Sequence, residues 1–227
     1  MSSAIESDRP PQAPLSAVVL AAGAASRMGH RPKCLLELDG VPLIVRLLQA
    51  LREAGVDEIV VVLGHYASAI EAAIAAMPVK PVFNAHPQAG QVSSLRLGLQ
   101  ALPSTADAVL VALADQPLLD RHDLRALIEA YHQRPAGAQV VQPSVQGLPG
   151  NPVIFSAWVR QQILAADDTV GCRQWQAAHP SQVHAWSSDN PHYRQDIDTT
   201  DDLRALAAGS GRVLTWPPAW RDVSDPL

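Results

Sequence analysis

The sequence predicts an α/β fold in which a mostly parallel sheet carries helices on both faces. Three observations lead to this prediction. Short apolar runs rich in valine alternate with segments of helical periodicity through the first 133 residues, which is typical of a parallel sheet. The runs are apolar at consecutive positions, as in strands buried on both faces. The chain of 227 residues is also long enough to bury the core of one such domain.

Four strand–helix pairs are predicted along the first part of the chain. Each strand is a short apolar run, and each helix repeats apolar residues every three or four positions. The first helix has proline near its start and glycine at its end, the usual arrangement at helix termini. Strands are expected at 16–21, 58–64, 80–84 and 107–115, and helices at 42–55, 67–77, 91–102 and 121–133.

Beyond residue 138 the alternation becomes less regular. Two helical pieces and several short apolar pieces predict a mixed region that covers the edge of the sheet, with strands near 138–144, 153–155 and 182–187. Residues 15–210 are therefore assigned to one domain. The polar, proline-rich residues 1–14 are predicted to be a disordered tail. Residues 211–227 show no clear period, so the sequence leaves their order open.

Charge and composition narrow the class of protein. The net charge of −5 argues against nucleic acid as the main partner, because nucleic-acid-binding surfaces are usually basic. No stretch reaches transmembrane length, and the N-terminus lacks the apolar core of a signal peptide. Cys34 and Cys172 match no metal or disulfide pattern and are expected to be reduced thiols. We therefore expect a cytoplasmic protein that binds neither nucleic acid nor a membrane.

The loop after the first predicted strand, "AAGAASRMGHRPK" (21–33), predicts an anion site. Ligands of parallel sheets bind beyond the carboxyl ends of the strands. Small residues such as Gly23 let backbone N–H groups approach phosphate oxygens, while Arg27 offers a bidentate guanidinium and Lys33 a mobile point charge. The loop matches neither the dinucleotide-binding nor the P-loop fingerprint. The alternative is a flexible turn with two solvated cations.

Carboxylates at two other places predict a metal site. Asp115 ends the fourth predicted strand, where Gln-Pro follows, and Mg²⁺ binds one or two carboxylates together with phosphate oxygens. Asp196 and Asp198 are two residues apart and face the same side of an extended segment, so either can supply the second carboxylate. The alternatives are a turn or capping role for Asp115, and capping of the helix that starts near Thr200.

Two further segments carry polar groups of interest. Ser93, Ser94 and Arg96 lie at the start of the helix 91–102, where hydroxyls, free N–H groups and the positive helix end favour an anion. An N-cap with a surface arginine is the alternative. The segment "GLPGNP" (147–152) combines flexible glycines with stiff prolines, which also suits a hairpin turn.

The segment "LAAGAASRMGHRPK" (20–33) resembles the signature of nucleotidyltransferases of GT-A-like fold, and among them the MobA-like molybdenum cofactor transferases. The resemblance continues through "GQVSSLRLGL", "ADQPLL", "GLPGNPVIF" and "DIDTTDDLRAL". These five motifs occur in the family's order and cover most of residues 16–206. They imply a three-layer α/β/α, Rossmann-like domain, which agrees with the strand–helix alternation.

The resemblance implies Mg²⁺-dependent transfer of a nucleotidyl group from a nucleoside triphosphate to an acceptor phosphate, with release of pyrophosphate. The acceptor, a phosphate monoester with a second pKa of about 6, is already ionised near neutral pH and needs no general base. The implied catalytic residues are Arg27, Lys33 and Asp115, and the implied metal ligands are Asp115 and Asp198. Nucleotide contacts are implied for Leu20, Ala21, Ala22, Gly23, Arg27, Lys33, Ser93 and Ser94, and acceptor contacts for Arg96, Gly150, Asn151 and Pro152.

The resemblance also suggests a nucleotide and an acceptor. Guanylyl-transferring relatives usually read "LAGG" and proline-leucine-alanine-glycine where this chain has "LAAG" (20–23) and "GQVSS" (90–94). Both differences imply CTP as donor and molybdopterin as acceptor, giving molybdopterin cytosine dinucleotide for delivery to a molybdoenzyme or its chaperone. "GHRPK" has one residue more than the cytidylyl pattern, and "DDTVGCRQW" (167–175) departs from it. The alternatives are GTP, another phosphorylated acceptor such as a sugar phosphate, and a non-catalytic cofactor carrier.

Overall fold

The computed structural model describes residues 14–56 and 58–221. Most of the predicted N-terminal tail, residues 1–13, lies outside the described residues. The strands are β1 Leu15–Ala21, β2 Glu37–Leu38, β3 Val41–Pro42, β4 Glu58–Leu63, β5 Lys80–Phe83, β6 Ala108–Leu113, β7 Val140–Val145, β8 Leu148–Pro149, β9 Val153–Ser156, β10 Val183–Ser187 and β11 Leu214–Thr215. The helices are α1 Leu43–Glu53, α2 Ala67–Ile74, α3 Gln91–Ala101, α4 Arg121–His132, α5 Ala157–Ala165, α6 Cys172–Ala178 and α7 Thr200–Ser210.

The main sheet confirms the predicted parallel arrangement. Its strand order is β10-β7-β9-β6-β1-β4-β5, with β8 paired to β7. β1 lies between β4 and β6 and runs parallel to both, so that Val18 pairs with Val60 on one side and Val111 on the other. β9 runs antiparallel to β6 and β7, as expected of the less regular second half. The carboxyl ends of β1, β4 and β6 therefore meet at the same edge of the sheet.

Helices cover both faces of this sheet, which confirms the three-layer prediction. In β1, Ala17 and Val19 join a core with α1, α2 and α4, whereas Val18 joins a second core with α3, α5 and α6. Burial on both faces is the reason that the strand is apolar at consecutive positions. In α3, a Cβ at Gly98 would lie 2.4 Å from Val18 Cγ1, so only glycine permits this close helix–sheet contact.

A small antiparallel sheet, ordered β11-β2-β3, lies with α7 beside the loop that follows β1. Its apolar cluster contains Met28 from that loop, Ile197 from the segment before α7, and Trp216 just after β11. The sequence left the order of residues 211–227 open, and within the described part Leu214 pairs with Leu38. A two-residue strand is too short to give a periodic signal. No helix in the described ranges is long and apolar enough to cross a membrane.

Candidate active site

A cavity of about 500 Å³ opens at the carboxyl ends of β1, β4 and β6. The predicted strand 107–115 ends at Leu113, so Ala114 and Asp115 project beyond the sheet into this cavity. Many of the residues expected to bind the nucleotide, metal or acceptor line it. These are Leu20, Ala21, Ala22, Gly23, Arg27, Lys33, Ser94, Asp115, Asn151 and Asp198.

Lys33 lies between two carboxylates at the base of the cavity. Its Nζ is 2.7 Å from Asp115 Oδ2 and 2.6 Å from Asp198 Oδ1. The side chains of Lys33 and Asp115 are only 15% and 20% exposed, so water screens this pair weakly. Arg27 Nη2 lies 2.8 Å from Asp198 Oδ2 at the exposed side of the cavity. Two cations and two carboxylates that are distant in sequence therefore form one cluster.

Local structure explains how each of these groups is placed. Lys33 begins a 3₁₀ turn in which the Leu36 N–H donates to the Lys33 carbonyl at 3.0 Å. The segment before α7 is brought to Asp115 by the Ile197 N–H, which donates to the Asp115 carbonyl at 3.0 Å. The Asp202 carboxylate then accepts hydrogen bonds from the backbone N–H groups of Asp198, at 2.9 Å, and of Thr199, at 2.6 Å.

The charges of the cluster shift the pKa values of its members. Burial alone would lower the pKa of the Lys33 ammonium, but the charges and hydrogen bonds of Asp115 and Asp198 outweigh it and raise that pKa. The hydrogen bond from Lys33 lowers the pKa of Asp198, although burial opposes it. Asp196, which also lines the cavity, has its pKa raised by burial and by the charge of Asp115. Lys33 and Asp198 are therefore both charged near neutral pH.

The donor set fits a hard divalent cation. Asp115 Oδ1 is buried and has no hydrogen-bond partner, and an orphaned carboxylate oxygen of this kind is free to accept a cation. The carboxylates of Asp115 and Asp198 converge on one point, because both contact the same Lys33 Nζ. Within the described residues, no group of three or more His, Cys, Asp or Glu is arranged to hold a metal ion. Two carboxylates with phosphate oxygens are sufficient for Mg²⁺.

The N-terminal part of α3 forms another wall of the cavity. The Asn84 amide donates to the hydroxyls of Ser93, at 3.0 Å, and Ser94, at 2.9 Å. Ser94 is buried and lines the cavity, while Ser93 donates to the Gly90 carbonyl at 2.8 Å and is not among the lining residues. The sequence did not single out Asn84, because only its position after β5 brings it to these hydroxyls.

Asn151 lies on the wall contributed by the second half of the chain. Its N–H donates to the Tyr193 carbonyl at 2.7 Å, and its carbonyl accepts a hydrogen bond from Gln116 Nε2 at 3.2 Å. Gly150 and Pro152 flank it without lining the cavity themselves. A Cβ at Gly150 would lie 2.7 Å from the Tyr193 carbonyl oxygen, so this glycine allows the close approach that positions Asn151.

The structure does not bring Arg96, an expected acceptor contact, to the cavity. Its guanidinium is buried behind α3 and donates to four backbone carbonyls at and beyond the end of α5, those of Ile163, Leu164, Ala166 and Asp167. It also lies 3.1 Å from Asp168 Oδ1. These carbonyls have no helical partner at the end of a helix, so Arg96 caps α5.

Sequence reasoning missed several residues that do line the cavity. They are Tyr66 after β4, Gln91 in the first turn of α3 and Arg173 in the first turn of α6. Arg173 is exposed and has no hydrogen-bond or ion-pair partner among the described residues. The order of strands and helices could have indicated Tyr66, since β4 neighbours β1. Arg173 lies in the segment 167–175, which departs from the family pattern, and the sequence analysis gave it no role.

Comparison with known proteins identifies relatives of this chain. Residues 17–183 match the model of the MobA-like NTP transferase domain. Nicotine blue oxidoreductase of Paenarthrobacter nicotinovorans is 29% identical over 198 residues, which cover 85% of this chain and 96% of that protein. The bifunctional protein GlmU of Syntrophomonas wolfei is 34% identical over 149 residues. That match covers 65% of this chain, and the chain spans about a third of the GlmU length (32%).

Solved structures agree with the family match. A nucleotidyl transferase from Methanothermobacter superposes with a TM-score of 0.70 at 28% identity, over 86% of this chain and 96% of that one. Rv0371c from Mycobacterium tuberculosis, solved in complex with manganese, gives a TM-score of 0.66 at 28% identity, over 85% and 97%. The chain therefore belongs to the family of MobA-like NTP transferase domains.

Proposed function

We propose that this protein is an enzyme that depends on Mg²⁺ and transfers CMP from CTP to the terminal phosphate of molybdopterin, giving molybdopterin cytosine dinucleotide and pyrophosphate. The observation that carries the proposal is the cluster of Lys33, Asp115 and Asp198 below the loop that follows β1. Transfer between two phosphate-bearing substrates requires positive charge close to the phosphates. The two cations, and the carboxylate pair that fits a divalent cation, can supply that charge.

The main barrier to the reaction is repulsion between two anions. The acceptor phosphate is ionised near neutral pH because its second pKa is about 6, so the protein need not remove a proton. Lys33 remains charged, and its flexible stem allows the ammonium to pair with the triphosphate. Arg27, 65% exposed at the mouth of the cavity, adds a bidentate donor. The backbone N–H groups near Gly23 provide further donors for the phosphates.

Asp115 and Asp198 would hold the divalent cation. When bound, the cation supplies charge neutralisation for the reacting phosphates, as metal ions do in phosphoryl-transfer enzymes. The buried orphan oxygen of Asp115 supports this role, because a structural turn aspartate would have its oxygens satisfied by the backbone. A carrier that only binds and delivers the cofactor would have no use for such a pair.

Features of two walls support the choice of substrates. "LAAG" (20–23) and "GQVSS" (90–94) both contribute to the cavity, and both favour CTP by the resemblance described above. Asn151 and Arg173 lie on walls remote in sequence from the loop that follows β1. Lys33 and Arg27 are paired with carboxylates, whereas Arg173 has no partner among the described residues. We assign Arg173 and Asn151 to the acceptor.

Pyrophosphate release tests the proposal. Purified protein is incubated with Mg²⁺ and molybdenum cofactor, and CTP, GTP, ATP and UTP are compared. Release with CTP alone is the expected result. A preference for GTP would identify GTP, and not CTP, as the donor. Pyrophosphate release only with a sugar phosphate or another phosphorylated metabolite would show that molybdopterin is not the acceptor. If the wild type released no pyrophosphate and Asp115→Ala still delivered the cofactor to a molybdoenzyme, the protein would be a carrier.

A second candidate function follows from the relative that matches nearly the whole chain. The name of nicotine blue oxidoreductase assigns that protein a redox reaction. If this chain shared it, the protein would change the absorbance of nicotine blue when an electron donor or acceptor is supplied. It would release no pyrophosphate with any nucleotide. Spectrophotometry of the same preparation decides between the two functions.

A further inference from the structure

The loop between β1 and the 3₁₀ turn at Lys33 contains residues in an unfavourable backbone conformation. Ala25, Gly29 and His30 have φ values of +48°, +67° and +55°. The left-handed region is readily adopted by glycine but disfavoured for alanine and histidine. Such residues persist only where the surrounding structure holds them. Contacts on both sides of this strained stretch are therefore required for the loop to keep its shape.

The first set of contacts comes from the segment after β4. The Tyr66 hydroxyl donates to the Ala24 carbonyl at 2.8 Å, next to the strained Ala25. His65 Nδ1 lies 3.0 Å from the Ala22 carbonyl oxygen. A Cβ at Gly64 would lie 2.6 Å from the same oxygen, so only glycine lets the two segments approach this closely. These contacts turn the carbonyls of the loop toward the β4 side and hold them there.

The second set comes from the C-terminal segment Leu214–Trp220. Arg31, which follows the strained His30, donates from Nη1 to the Trp220 carbonyl at 3.2 Å. The Arg31 guanidinium also lies over the Trp216 ring, 4.2 Å from its centre, a favourable cation–π contact. Trp216 is itself buried in the cluster beside α7. The segment thus fixes the loop at the far end of the strained stretch.

The two sets of contacts meet. The Trp220 ring packs edge-on against the Tyr66 ring, with centres 5.8 Å apart and planes at 85°. Tyr66, unlike Trp220, also lines the cavity. The segment Leu214–Trp220 lies outside the part of the chain that matches the family model, residues 17–183. This chain therefore adds a contact to the loop from beyond the matched region.

We propose that Tyr66 and the segment Leu214–Trp220 are positioning elements of the nucleotide site. They hold residues 22–33 in the strained shape that presents N–H groups, Arg27 and Lys33 to the triphosphate of the nucleotide. The inference rests on the proposed function, because it takes the loop to be the triphosphate-binding element. Neither Trp216 nor Trp220 is assigned a contact with substrate.

The test uses two variants and two matched controls in the full chain. Tyr66→Phe removes one hydroxyl and keeps the ring against Trp220, and Trp220→Ala removes the ring. Ser210→Ala is the first control, since the Ser210 hydroxyl donates to the Leu206 carbonyl at 2.7 Å. Trp158→Ala is the second, since Trp158 packs edge-on against Trp175 with centres 5.9 Å apart. Neither control residue contacts the loop.

Nucleotide affinity and acceptor affinity separate positioning from a general loss of structure. Tyr66→Phe loses one hydrogen bond, which is expected to weaken the binding of CTP·Mg²⁺ about fivefold, as measured by calorimetry. Trp220→Ala is expected to have at least that effect, and Trp220→Phe to restore most of it. The KM for CTP rises in parallel while the KM for the acceptor stays within twofold. The variant that combines Tyr66→Phe and Trp220→Ala is expected to lose less binding free energy for CTP than the two single losses added together. Both substitutions act through the same loop.

Hydrogen exchange of the ligand-free protein keeps this inference separate from the proposed function. Faster exchange of backbone amides within 22–33 in Trp220→Ala, with the rest of the sheet unchanged, is the expected result. It supports positioning even if no nucleotide is turned over. Unchanged exchange in that loop, or CTP affinity equal to that of the wild type in both variants, would overturn the inference. Failure of the wild type to bind any nucleoside triphosphate would instead contradict the proposed function.

Discussion

Lys33 and Asp115 are 82 residues apart in the chain and form an ion pair with Nζ 2.7 Å from Oδ2. The same ammonium is 2.6 Å from Asp198 Oδ1. Lys33 therefore places one positive charge between the two carboxylates that we assign to the metal. This arrangement keeps two acidic groups close together at the end of a parallel sheet, where they would otherwise repel each other.

Replacing Lys33 with methionine removes the charge and keeps most of the stem. We expect turnover to fall at least 100-fold, as when a charged or oxyanion-stabilising donor is removed from a phosphate or acyl site. We also expect tighter Mn²⁺ binding without nucleotide, because the two carboxylates lose their internal cation. Calorimetry with Mn²⁺ and a pyrophosphate assay measure the two effects. Lys80→Met is the matched control, since that exposed lysine donates only to the Ala101 carbonyl among the described residues. Weaker Mn²⁺ binding in Lys33→Met would contradict the assignment of these carboxylates to the metal.

Asp115→Asn keeps the size of the side chain and removes its charge. We expect the turnover number to fall by about 100-fold or more while the protein remains folded, because the amide is a poor ligand for Mg²⁺. A Mg²⁺ titration of pyrophosphate release, with Asp39→Asn as an exposed control, checks the result. Turnover equal to that of the wild type would remove Asp115 from the metal site.

Arg173→Ala tests the acceptor side of the cavity. Loss of a charge-assisted hydrogen bond of about 1.5–3 kcal/mol predicts a 10- to 150-fold rise in the KM for the acceptor. The KM for CTP should change less than twofold, since Arg173 is assigned no contact with the nucleotide. Steady-state kinetics with each substrate varied in turn give both constants. A rise confined to the KM for CTP would move Arg173 to the donor side.

Arg96→Met tests the structural role that replaces the expected acceptor contact. The substitution keeps the buried stem and leaves the carbonyls at the end of α5 without donors. We expect the free energy of unfolding to fall by about 2–4 kcal/mol, measured by urea denaturation. The exposed Arg204→Met, which breaks a pair with Asp201, should change it by less than about 1 kcal/mol. A large rise in the KM for the acceptor with unchanged stability would restore the original assignment.

Asp202→Ala tests the cap that holds the segment of Asp198. Burial opposes ionisation of Asp202, but hydrogen bonds from Thr199 and from the backbone of Asp198 and Thr199 lower its pKa below the ordinary value of 3.8. A lowered pKa stabilises the folded state above that value, and the stabilisation is lost as the pH falls through the folded-state pKa. We expect Asp202→Ala to lower the free energy of unfolding by about 1 kcal/mol at pH 7. The decrease should become progressively smaller below about pH 4. Asp201→Ala is the exposed control. A decrease in the free energy of unfolding that is as large below pH 4 as at pH 7 would exclude the charge of Asp202 as its cause.

Most of the fold follows from local properties of the sequence. Strands buried on both faces must be apolar throughout, so the run 58–64 predicted β4, Glu58–Leu63, almost to the residue. The helix α1 buries Ile44, Leu47, Leu48 and Leu51, the spacing that identifies one apolar face. Lys33 and Asp115 both follow parallel strands of one sheet, and they meet because parallel strands bring their carboxyl ends to one edge.

The parts that could not be predicted depend on contacts between distant segments. Arg96 and Ser94 lie in the same first turns of α3, and nothing local indicates that one side chain lines the cavity while the other caps α5. Arg173 enters the cavity through the packing of α6, where a Cβ at Gly171 would lie 3.1 Å from Val92. Trp216 follows a strand of only two residues, and its side chain is buried in the apolar cluster beside α7. Such relationships exist only in the assembled fold.

Transfer of label from CTP carrying ³²P at the α-position tests the central claim most directly. Wild-type protein, Asp115→Asn and Lys33→Met are incubated with Mg²⁺ and molybdenum cofactor, and the products are separated by chromatography. We expect the wild type to move the label from CTP into a molybdopterin-containing product and both variants to lose this transfer. Binding of CTP by the wild type with all label remaining in CTP, for this and every other phosphorylated acceptor offered, would contradict the central claim.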